Sequence, residues 1–243
     1  MIGVFDSGIG GVTVLKEIIK LMPNQKYIYY SDSKNNPYGD REKEELFLIV
    51  DDIVNLLMNK GCKAIVIACN TASALCVEKL RKDYPEIPII AIEPAYKMVY
   101  DYNFNGKTLV MATKGTLESE KFLRLYYKYD NHNTILKPCI GLAELIEEGN
   151  EEKIDKYLEE NLSEYNDIEN VVLGCTHYPL VKKNIAKVLG NVKFFDGSVG
   201  VSKELKRRLE EKGLLTEEEF SIEFYDSSNS KEKEERFYDI LNK

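Results

Sequence analysis

In this 243-residue chain, the stretch Val171-Val-Leu-Gly-Cys-Thr-His-Tyr-Pro-Leu180 ends an apolar run on a cysteine and, two residues later, on one of only two histidines. A thiol can exchange a proton with a nearby imidazole, so Cys175 and His177 form a candidate acid/base pair. Three other uses compete with that one. A thiol beside a core strand is most often packed and inert. A Cys-x-His pair offers at most two metal ligands, and neither His132 nor another cysteine stands at zinc spacing. Disulfide exchange favours a Cys-x-x-Cys element, which the chain lacks.

A second segment, Ile65-Val-Ile-Ala-Cys-Asn-Thr71, repeats the order apolar, small, Cys, polar, and its Cys69 lies 106 residues before Cys175. Gly3-Val-Phe-Asp-Ser7 and Leu109-Val-Met-Ala-Thr113 share that offset. The repetition predicts two related halves, each with a thiol at a strand end. A helical segment follows Cys69, and its positive N-terminal end favours a thiolate there. Cys62, Cys76 and Cys139 lack this setting and read as structural.

Three loops stand beside these thiols. Asp6-Ser-Gly-Ile-Gly-Gly-Val-Thr13 first suggests a dinucleotide fingerprint, but the third glycine falls on Thr13 and no phosphate-loop ending follows. What remains is a tight turn whose amides suit a carboxylate, or simply an Asp-capped turn. Ser31-Asp-Ser-Lys-Asn-Asn-Pro-Tyr-Gly-Asp40 is turn chemistry that can also hold Tyr38 and the Gly39 amide over a ligand. Thr113 and Thr116 offer two hydroxyls that can bind a ligand or cap a helix.

The elements that must position these residues are short runs rich in Val and Ile: IGVF, YIYY, AIVIA, IPIIAI, TLVMA, VVLG and VKFF. Most are separated by segments with helical spacing, such as Leu46, Ile49, Val50, Ile53, Val54 and Leu57. The alternation predicts an α/β fold of parallel sheets wrapped by helices, in which ligands sit at strand C-termini. Glu93-Pro94 is the natural division between the halves, because proline disfavours helix at the residue before it. The tail reads as two charge-dense solvated helices around an edge strand, FSIEFY, and away from function.

Composition narrows the classes. A formal charge of −8 argues against nucleic acid as the main ligand. Five scattered cysteines do not form the framework of a secreted domain and suit a reducing cytoplasm. The first strand starts directly after Met1, which leaves no room for a leader, and no run approaches the roughly 20 apolar residues of a membrane span. A soluble, cytoplasmic protein is expected.

The set DSGIGG, NPYGD, ACNTAS, ATKGT and GCTHYPL, in this order and spacing, resembles the glutamate racemases across essentially the whole chain. Related aspartate racemases typically carry Glu after GCT, where this chain has His177. The resemblance implies two pseudo-symmetric lobes, residues 1–93 with 205–243 and residues 94–204, and an active site in the cleft between them. It implies cofactor-independent inversion of glutamate by Cys69 and Cys175, with Asp6 assisting Cys69, His177 assisting Cys175, and Glu147 as a further helper. Gly141 and Glu144, near that glutamate, depart from the bulky apolar or proline residues of other members. Ser7, Tyr38, Gly39, Asn70, Thr71, Thr113, Thr116 and Thr176 are implied to hold the substrate. The resemblance also implies no metal, a homodimer, and D-glutamate for peptidoglycan as the product. A binding protein that lost turnover, or a thiol redox protein, are the alternatives from other classes.

Overall fold

The computed structural model describes residues 1–103, 105–217 and 219–243. The first lobe is built from β1 (Ile2–Asp6), α1 (Val12–Leu21), β2 (Lys26–Ser31), α2 (Lys43–Asn59), β3 (Ala64–Ile67), α3 (Asn70–Asp83) and β4 (Ile89–Ala91). The second continues through α4 (Tyr96–Asn103), β5 (Thr108–Ala112), α5 (Lys114–Leu117), α6 (Glu120–Tyr129), β6 (Thr134–Pro138), α7 (Leu142–Glu148) and α8 (Glu151–Leu162). It closes with β7 (Asn170–Gly174), a 3₁₀ turn over Tyr178–Val181, α9 (Lys182–Leu189) and β8 (Lys193–Phe195). Then α10 (Ser198–Glu211), β9 (Ser221–Asp226) and α11 (Lys231–Asn242) return to the first lobe.

Both sheets are wholly parallel, in the orders β4-β3-β1-β2-β9 and β6-β5-β7-β8. Without β9, the first order read backwards becomes the second when each strand number rises by four. The 106-residue offset therefore joins equivalent strands, β1 with β5 and β3 with β7. Even the register carries over: Ile2 pairs with Ala64, and Thr108 with Asn170. Every residue of the central strands β1, β3, β5 and β7 is buried, as a parallel strand covered on both faces requires.

The helices bury the apolar faces that their spacing predicts: Val14, Leu15 and Ile18 in α1, and Leu46, Val50, Ile53, Val54 and Leu57 in α2. One strand went unanticipated. In β6, Thr-Ile-Leu-Lys-Pro, every residue is half-buried or exposed at the sheet edge, where lysine and proline are tolerated and no continuous apolar run forms. Among the described residues no helix is long and apolar enough to cross a membrane.

The returning segment is tightly integrated. α10 packs on α1 and β4, and it runs unbroken from Ser198, so a division placed at residue 204 falls inside it. β9 pairs with β2 along its whole length. Phe237 of α11 is fully buried, its ring 4.8 Å from Tyr29 and 4.6 Å from Phe224. Phe237→Ala is therefore expected to cost about 3–5 kcal/mol of stability, read from urea denaturation. A loss under about 1 kcal/mol would mean that α11 is not anchored in this core.

Candidate active site

The C-terminal ends of β1, β3, β5 and β7 converge on a cleft between the lobes whose open space, mouth included, is about 540 Å³. Cys69 and Cys175, one from each lobe, both line it, together with Ser7, Asn70, Thr71, Thr113, Thr176 and His177. Tyr38 and Gly39 close one side and Gly141, Ala143 and Glu144 another. Asp6, Glu147 and Thr116 sit one layer behind.

Cys69 caps α3, and its Sγ lies 3.8 Å from Ser7 Oγ. Burial and the charge of Asp6 push this thiol up to about 12, despite its bonds with the Ala72 amide at the start of α3 and with Ser7. The expected lowering at the helix N-terminus is thus outweighed, because desolvation of a fully enclosed thiolate exceeds the field of the helix end. Asp6 is itself raised by burial, against the opposing influence of His177 and the amide of Gly11. Its Oδ2 accepts from Gly11 N at 2.8 Å, and both oxygens accept from Thr176 Oγ1 of the other lobe at 3.2 Å.

Cys175 Sγ lies 3.6 Å from His177 Nδ1, and His177 Nε2 donates to Glu147 Oε1 at 2.6 Å. Burial alone would lower the imidazole, but its bonds to Cys175 and Glu147 prevail and raise it well above its ordinary value. Glu147 behaves in mirror fashion: burial acts to raise it, yet His177, the Ile9 amide and Lys233 bring it down to about 2. The pair is an imidazolium–carboxylate bridge, set behind a thiol with which the ring can exchange a proton.

The glycines of DSGIGG now have a reason. A Cβ on Gly8 would lie 2.0 Å from Glu147 Oε1, and one on Gly10 would lie 2.5 Å from His177 Nδ1. Bare backbone lets the second lobe's acid/base pair approach the first lobe's turn. The carboxylate that the turn receives is the protein's own, since Ile9 N donates to Glu147 Oε1 at 2.7 Å.

Of the residues implied to hold substrate, Asn70 is the most exposed chemically: it is buried and neither its side-chain oxygen nor its nitrogen has a partner. Thr71, Thr113 and Thr116 form a hydroxyl cluster with separations of 2.9 to 3.5 Å, and Thr113 also caps α5. Thr116 supports Thr113 rather than lining the cleft. Tyr38 lines the cleft, but its hydroxyl donates to Asp32 Oδ2 at 2.6 Å and is not free. Asp32, immediately beyond β2, escaped notice in the sequence although the strand-end rule points to it. Gly39 approaches Thr113 closely enough that a Cβ would lie 3.2 Å from it, so the two mouth loops touch. Among the described residues no cluster of three or more His, Cys, Asp or Glu side chains could hold a metal ion. The tail, read as remote from function, instead reaches this layer: Lys233 Nζ lies 3.5 Å from Glu147 Oε2, and Arg236 donates to the carbonyls of Ile146 and Glu147.

Equivalent strand ends of two α/β lobes thus bring one thiol each to a single cleft. A sequence profile of the Asp/Glu/hydantoin racemases matches residues 17–199. A glutamate racemase of Clostridium botulinum is 48% identical over 224 residues, 90% of this chain and 87% of that one. Among solved structures, glutamate racemase RacE1 of Bacillus anthracis superposes with a TM-score of 0.87 at 30% identity, covering 100% of this chain and 94% of that one. The Francisella tularensis glutamate racemase, solved in complex with D-glutamate, gives 0.83 at 32% identity, covering 100% and 93%. The chain belongs to the Asp/Glu/hydantoin racemase family.

The buried bridge makes a pH-dependent contribution to stability. For Glu147, lowered to about 2 from an ordinary 4.5, the contribution is complete above about 4.5 and lost as pH falls toward 2. For His177, raised from 6.5, it is complete below 6.5 and lost as pH rises through the folded value. Glu147→Gln should therefore cost most between pH 4.5 and 6.5, about 3–5 kcal/mol for breaking a buried pair. Urea midpoints of both proteins across pH 3–8 are the measurement, and a deficit that does not vary with pH would contradict the bridge.

Proposed function

We propose that this protein interconverts L- and D-glutamate by a two-thiol acid/base mechanism, and that its D-glutamate serves peptidoglycan synthesis. The observation that carries the reading is that Cys69 and Cys175, at equivalent positions of two related lobes, line one cleft. Each has its own buried proton-handling neighbour, Asp6 for Cys69 and His177 for Cys175. Stereochemical inversion needs two such groups: one removes the α-proton from one face, and the other supplies a proton to the opposite face. In one direction Cys69 acts as the thiolate and Cys175 as the thiol, and in the other they exchange roles.

A thiol held this far above its ordinary value is seldom ionised near neutral pH, so a neighbouring group must take its proton before it can act as the base. Asp6 and the His177–Glu147 bridge are the groups that hold or relay the thiol protons. Substrate carboxylates suit the free amide of Asn70, the hydroxyls of Ser7 and Thr71, and the N-terminal end of α3. These donors are fixed before substrate arrives, which lowers the cost of stabilising the charge that develops as the proton leaves.

Incubation with L-glutamate in deuterated water should give α-deuterated glutamate and loss of optical rotation, and absence of both would defeat the reading. Aspartate assayed in parallel tests the choice of substrate. Cys69→Ser and Cys175→Ser should each lower kcat/KM on the order of 10²–10⁴-fold, equally in both directions because the equilibrium constant of a racemisation is one. Ordinary turnover by Cys175→Ser would remove its assigned role. Cys62, buried in the core of the first lobe, should tolerate serine with racemisation intact and a stability loss of about 1–3 kcal/mol.

A further inference from the structure

α7 is a short helix with two duties. Its start, with Gly141, Ala143 and Glu144, forms one wall of the cleft, and its last turn carries Glu147. The last turn is not held by its own lobe alone. Arg236, from α11 of the first lobe, donates one arm of its guanidinium to the carbonyl of Ile146 and the other to that of Glu147. Carbonyls of a last helical turn sit at the negative end of the dipole, so a forked cation is suited to them, here beside the Gly149 amide that also donates to Ile146. Gly149 completes the arrangement. It closes α7 at φ 72°, and a Cβ there would lie 3.2 Å from the Arg236 guanidinium carbon and from both terminal nitrogens. Glycine at this position therefore permits both the left-handed cap and the seat of the arginine. Three residues earlier on α11, Lys233 faces the carboxylate oxygen that His177 does not use, at 3.5 Å.

We propose that Arg236 and Lys233 are positioning residues for proton transfer at Cys175, with α11 acting as a strap that holds Glu147 against His177 and fixes the α7 wall of the cleft. The inference rests on the racemase reading for its kinetic consequence but not for its structural one. The chain of contact runs from Arg236 and Lys233 to Glu147, from Glu147 to His177, and from His177 to Cys175. Neither residue lines the cleft. The ionisable groups that face Glu147 are His177 and Lys233 in contact and, behind them, Asp6 and the Tyr29 hydroxyl, whose titration Glu147 influences.

Arg236→Ala, Gly149→Ala and Lys233→Met test the strap from three sides, so one poorly folding variant does not decide the matter. With Glu147 released, kcat/KM should fall about tenfold, equally for the two enantiomers. The primary α-deuterium isotope effect should grow for the enantiomer that Cys175 deprotonates and shrink for the other, whereas general loosening of the cleft would move both alike. A readout independent of turnover is the imidazole NMR titration, simplified by the presence of only two histidines, with the His132 side chain 93% exposed. In Arg236→Ala the His177 midpoint should fall by about one unit or more. Folded variants whose thermal midpoint drops, but whose isotope effects and His177 titration match the parent, would overturn the proposal. If the parent itself exchanges no α-proton, the racemase reading fails, and the His177 titration alone then decides the strap.

Discussion

One carboxylate oxygen, Glu147 Oε1, accepts from the Ile9 amide of the first lobe and from His177 Nε2 of the second. A buried charge is tolerated only when it is paired and hydrogen-bonded, so this contact permits only one close approach of the two lobes. Gly8 and Gly10 follow from it, since a side chain at either position would occupy the space of Glu147 or His177. The bond from Thr176 to Asp6 is a second crossing of the same boundary. Polar links therefore span the cleft directly behind both thiols. Rotating one lobe against the other would unpair charged groups that water does not reach, which gives the cleft a preferred width before any ligand enters.

Fold and site differ in how far the sequence reveals them. Parallel sheets follow from apolar runs alternating with helical spacing, and the two halves follow from a repeated offset that even preserves register. The thiols are legible because strand C-termini are where an α/β sheet exposes side chains to a ligand. The basicity of Cys69 is not legible in the same way. A local reading credits the helix that begins at Asn70, whereas the outcome is set by complete enclosure and by Asp6, which is far away in sequence. Tyr38 is similar: its loop is recognisable, but the Asp32 that occupies its hydroxyl becomes a neighbour only when β2 and the loop are folded. Arg236 and Lys233 lie at the other extreme. Their segment has the charge density of a solvated helix, and most of α11 fits that description. Only the tertiary path of the tail brings two of its cations beneath α7.

The symmetry of the lobes holds at the sulfurs and breaks around them. Cys69 maps onto Cys175 and Ser7 onto Thr113, but Asp6 maps onto Ala112 and Thr71 onto His177. One sulfur therefore has a carboxyl group beside it and the other an imidazolium. For a two-thiol racemase this inequality is a physical requirement rather than a defect. The carboxylates and ammonium of the substrate must stay in place while the α-carbon inverts, so the protein presents a chiral frame in which the two faces of the planar intermediate are never equivalent. Each enantiomer also needs a different resting state, one sulfur ionised and the other protonated. The unit equilibrium constant constrains only kcat/KM; kcat and KM separately are free to differ between enantiomers. In such a racemase a carboxyl group beside one sulfur and an imidazolium beside the other would weight the two resting states unequally without altering the balance of the overall reaction.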